Sequence, residues 1–130
     1  MAITFEWQMF GGRLAPFAKY SPSIAGAIEP FPCLLMDDGG LDLTSTLDCV
    51  DKGLADVDSV LSKRTPAVDW GREDWGARIS AESVVIYSMH DESVDEILPT
   101  SAFKKALSAW RGFIAARPCA GSIQEVPMDA

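Results

Sequence analysis

The residues best suited to chemistry in this chain are one histidine, three cysteines and a surplus of carboxylates. His90 precedes Asp91-Glu92, and a second acidic pair stands at Asp37-Asp38. A histidine beside carboxylates can move protons, and paired carboxylates can serve as acid and base or hold Mg²⁺. Neither pair is set in a recognisable catalytic frame: H-E-x-x-H, G-x-S-x-G, P-loop and G-x-G-x-x-G patterns are all absent. The glycine pairs Gly11-Gly12 and Gly39-Gly40 lack the strand-to-helix context that phosphate binding requires. Cys33, Cys49 and Cys119 are odd in number and widely spaced, giving neither a disulfide framework nor a zinc pattern. Thiol catalysis would need one of them beside His90. Cys33 lies in an apolar run and Cys49 beside a helical stripe, so both read as small packed residues. The expectation is no catalytic residue, no metal and no cofactor, with the carboxylates as solvated loop charges.

Two segments combine residue types suited to binding. Residues 68–76 carry two Trp-Gly pairs, Trp70-Gly71 and Trp75-Gly76, interleaved with Asp69, Glu73 and Asp74. Aromatics beside carboxylates are the ingredients of a hot spot facing a basic protein, although tryptophans equally cover cores. Residues 88–96 form an acidic stretch with Asp91, Glu92, Asp95 and Glu96. The predicted binding surface is therefore Asp69, Glu73, Asp74, Asp91, Glu92, Asp95 and Glu96, with Trp70 or Trp75 as anchor.

The charge distribution supports a basic partner. The formal charge is −8, from 19 acids and 11 bases, and residues 37–96 alone hold 15 acids against five bases. Such a field repels nucleic acid and anionic lipid, so neither is expected as a partner, whereas a basic protein is steered in. Acidity also serves solubility alone. The absence of any apolar run near 18 residues and of a basic-then-apolar start predicts a cytoplasmic protein, as does the cysteine usage.

The elements that must position these residues follow from periodicity. Residues 2–8 alternate Ile3, Phe5, Trp7 against Thr4, Glu6, Gln8, the period of a half-buried strand ended by Gly11-Gly12. Residues 15–32 contain four prolines and read as loop, with a helical turn at 23–28, and residues 31–36 read as a short buried strand. Leu43, Leu47, Val50, Leu54, Val57 and Leu61 predict a helix over 44–63, capped by Thr44 or Ser45, with Asp48, Asp51 and Asp58 as an acidic ridge. Strands are predicted at 66–70, 74–80 and 83–89, the last central in its sheet. A second helix follows Pro99, capped by Thr100 or Ser101 and stopped by Arg117-Pro118, and residues 121–126 supply an edge strand. With 130 residues and 48% hydrophobic content, the chain is expected to be one α+β domain, an antiparallel or mixed sheet packed by two helices.

Across residues 84–114 a pattern emerges: Val85-Ile86-Tyr87-Ser88, Asp91-Glu92, Leu98-Pro99-Thr100, then Phe103, Leu107, Trp110 and Phe113. This resembles small bacterial immunity proteins of polymorphic toxin and contact-dependent growth inhibition systems. The resemblance implies a stoichiometric antitoxin without activity of its own that binds a cognate toxin domain, often a nuclease. A nuclease cleft is basic, which agrees with the acidic middle segment. Two rivals stand beside it: an interaction adaptor unrelated to toxins, and a small hydrolase using carboxylates and His90.

Overall fold

The computed structural model describes residues 1–23, 26–116 and 121–128. The chain is α+β, with two antiparallel sheets and three helices. The first sheet has the order β2-β1-β7, from β1 (Ala2–Phe10), β2 (Arg13–Ser21) and β7 (Ile123–Pro127). The second runs β3-β4-β5-β6, from β3 (Ala67–Gly71), β4 (Trp75–Ser80), β5 (Ser83–Ser88) and β6 (Asp95–Pro99). The helices are α1 (Pro30–Met36), α2 (Leu43–Leu61) and α3 (Thr100–Ala115). Both α1 and α3 touch both sheets, so helices form the middle layer.

The two amphipathic patterns fold as their periods dictate. In β1, Ile3, Phe5 and Trp7 are buried and meet α3, where the Phe5 ring lies edge-on to Trp110 at 5.0 Å and Trp7 stacks on Phe113 at 5.8 Å. At the other end of α3, Phe103 packs on Phe31 of α1 and Trp70 of β3. Such aromatic pairs add to the burial of the rings themselves. The strands predicted at 66–70, 74–80 and 83–89 are β3, β4 and β5. β5 lies inside its sheet, and the segment expected near 121–126 is β7 at an edge.

Several expectations are corrected. Gly11 and Gly12 take φ of 56° and 81° and form a two-residue hairpin, so the proline-rich stretch begins with β2 rather than loop. Pro16 fits because β2 is an edge strand, where a missing N–H costs no ladder bond. Residues 31–36 form α1, not a strand. Pro30 and Pro32 fall in its first turn, where N–H groups lack a partner within the helix and a missing one costs no helical bond. β6 occupies the end of the expected acidic loop. Asp42, not Thr44 or Ser45, caps α2 by accepting the Ser45 N–H at 2.8 Å. No side chain caps α3; Thr100 is buried and donates its hydroxyl to the Ser80 carbonyl at 2.7 Å. The expected turn at 23–28 lies partly, and the stop at Arg117-Pro118 wholly, outside the described residues, as does Cys119.

Candidate functional site: an acidic end of the four-stranded sheet

Antiparallel pairing puts the β3–β4 turn and the β5–β6 loop at the same end of the four-stranded sheet. The two segments singled out by their acids therefore converge. The Met89 N–H donates to the Asp74 carbonyl at 2.9 Å, and His90 Nε2 meets Asp74 Oδ1 at 2.8 Å. The α1–α2 loop joins them: Asp37 Oδ2 accepts the N–H groups of Asp74 and Trp75 at 2.7 and 2.9 Å. Asp37, Asp38, Glu73, Asp74, Asp91 and Glu92 thus share one end of the sheet.

Arg72 is the arginine within these loops, where His90 is the other basic residue, and it is turned inward. Its Nη1 donates to the Leu34 and Leu35 carbonyls at 3.1 and 3.0 Å, and its guanidinium sits over the Trp70 ring at 5.4 Å. A cation at helix-end carbonyls also complements the dipole of α1. Burial lowers the Arg72 pKa, and the Cys49 thiol and Asp37 act against that shift. The guanidinium anchors the turn to α1 from beneath the surface, with Nε and Nη2 buried and without a hydrogen-bond partner among the described residues, and its charge still acts on Asp37 and Asp38.

The sequence-predicted residues divide by exposure and by partner. Glu73, Glu92 and Asp95 are exposed and form no ion pair among the described residues; Asp74 and Asp91 are exposed with local partners, His90 and Ser93. The Ser93 hydroxyl and N–H hold the Asp91 carboxyl below its usual range. Asp69 is exposed on the outer face of the sheet and paired with Arg78 at 2.9 Å, with no bond to the clustered loops among the described residues. Trp70 and Glu96 face the interior. Trp70 is only 3% exposed and donates to the Cys49 carbonyl at 3.2 Å, so it cannot serve as an anchor for a partner. Glu96 accepts the Tyr20 hydroxyl at 2.6 Å and the Phe31 N–H at 3.0 Å, joining the two sheets through α1. Trp75 is half-buried against the core.

The period-2 rule carried the signal for Trp70, since in a strand Asp69 and Trp70 must point to opposite faces; Asp95 and Glu96 obey the same rule once residues 95–99 are known to be a strand. Asp37 was missed as an organiser because its partners lie 37 and 38 residues away. The ridge on α2 also has an internal use, since Asp51 pairs with Arg111 at 3.0 Å and Asp58 with Lys104 at 3.1 Å, both on α3.

The His90–Asp74 pair has the geometry of a base with its orienting acid, yet no described serine or cysteine side chain hydrogen-bonds to the ring. Burial pushes the Cys33 thiol up from its ordinary value, the wrong direction for a nucleophile. Among the described residues no group of three His, Cys, Asp or Glu side chains is placed to hold a metal ion, and no described helix is long and apolar enough to cross a membrane. No family model, curated protein or solved structure matches the chain.

Proposed function

We propose that this chain is an immunity protein that neutralises a cognate toxin by one-to-one binding, presenting the acidic end of its four-stranded sheet to a basic toxin domain. A nuclease domain is the favoured partner because its phosphate-binding cleft is basic. The observation that carries this reading is the convergence of three separate acidic loops at one end, with the local arginine withdrawn to α1. Exposed like charges in such proximity disfavour the free protein slightly and are relieved by a partner of opposite charge. Glu73 and Glu92 make no ion pair or side-chain hydrogen bond among the described residues, which leaves both carboxylates for a partner.

The test is calorimetry of the chain against the C-terminal domain encoded immediately upstream of its gene, at low and high salt. Tight one-to-one binding that weakens steeply with salt is expected. Absence of binding, or binding indifferent to salt, contradicts the reading.

A further inference from the structure

Trp70 is buried and Trp75 is half-buried against the core, which leaves open a further anchoring point beside the acidic end. We propose that a cavity between the β1–β2 hairpin and the first turn of α2 receives an aromatic side chain of the protein partner, flanked in that partner by lysine or arginine. This inference rests on the protein-binding reading above. The cavity measures about 440 Å³, within the size range of formed ligand pockets. Trp7, Leu14, Pro16 and Ile114 give it an apolar wall. Leu41, 52% exposed, and Leu43, 40% exposed, line it from the α2 side. Two leucines left this open beside a concave apolar wall are what an inserted ring would cover.

Charge selects the occupant. Asp38 and Asp42 line the cavity, and Asp38 and Leu41 also border the smaller hollow that contains Asp37 and Glu73. The cavity is therefore continuous with the acidic end of the sheet, and cationic neighbours of an incoming ring meet carboxylates there. Arg13 lines the cavity as well and makes no ion pair among the described residues. Its guanidinium is available to the face of an aromatic ring, a contact that an aliphatic side chain does not offer.

The experiment is an amide-resolved NMR titration of the whole chain with acetyl-Lys-Trp-Lys-amide. Shifts are expected at Gly40, Leu41, Leu43 and Thr46, with about tenfold weaker binding for the Lys-Ala-Lys and Glu-Trp-Glu peptides. Leu41→Lys should weaken the tryptophan peptide by about the same factor. Ile97→Lys, the same change at a 67% exposed position on the outer face of the other sheet, should leave binding unchanged. No shifts, shifts centred elsewhere, or equal binding of the alanine peptide overturns the proposal. So does sedimentation showing a dimer that Leu41→Lys dissociates, since a second copy then occupies the cavity. Failure of the peptides while the upstream domain still binds sinks the cavity alone; peptide binding without that domain sinks the immunity reading alone.

Discussion

At the residue scale, the most informative carboxylate is one that turned inward. Glu96 holds Tyr20 of β2 and the first turn of α1 together, so its removal leaves a phenol and a backbone N–H without their acceptor. Glu96→Ala should lower stability by about 1–3 kcal/mol in chemical denaturation, the usual cost of unsatisfied buried groups. Tyr20 adds a pH signature. Burial, and secondly the bond to Glu96, raise its pKa far above the ordinary tyrosine value. The fold therefore retains a proton that the unfolded chain releases near pH 10, so the contribution is complete below about pH 10 and declines as pH rises beyond it. Unfolding midpoints measured on both sides of that value should fall in the parent protein and fall less in Tyr20→Phe. The sequence showed an acid at position 96 but not its direction, because that direction depends on residues 95–99 being a strand. Pro99 and the run of acids hid this strand from propensity.

At the element scale, helix propensity and packing make opposite predictions at two glycines. Gly53 of α2 lies under the Trp70 ring, and a Cβ there would come within 2.6 Å of it. Gly112 of α3 has open space in the same position. Propensity alone favours alanine at both by about 1 kcal/mol. Gly112→Ala should gain about 0.5–1 kcal/mol, whereas Gly53→Ala should lose about 1–3 kcal/mol because the fully packed indole has to move. Thermal denaturation of the two variants checks the sign of each. Helices α2 and α3 were legible because their apolar periods are long and unbroken, and strands β3 to β5 because short runs with Val, Ile, Trp and Tyr stand between turn residues. α1 was not, since six or seven apolar residues read equally as strand or helix until the Pro30 position is taken as a helix start. The hairpin turn was also written in the chain, as Gly11-Gly12 between alternating segments, and the prolines beyond it obscured the partner strand.

At the scale of the whole molecule, the acidic surplus of residues 37–96 serves two ends. Asp51, Asp56, Asp58 and Glu96 have partners inside the fold, while Glu73, Asp74, Asp91 and Glu92 gather with Asp37 and Asp38 at one end of a sheet. The charge imbalance was evident from the sequence. Its division between internal pairs and a surface was not, because it depends on which helix faces α2 and on the loops meeting across the sheet end. The residue pattern at 84–114 on which the proposed immunity reading draws lies in β5, β6 and α3, the scaffold behind this surface, and reaches the loops that would choose a partner only at Asp91-Glu92. The most direct measurement is the association rate of the double variant Glu73→Lys, Glu92→Lys with the upstream domain, followed by stopped flow across a range of salt. Glu125→Lys on the distant edge strand β7 is the control. The account predicts association at least about tenfold slower, with a flatter salt dependence, in the double variant alone. An unchanged rate, or an equal loss in Glu125→Lys, would contradict it.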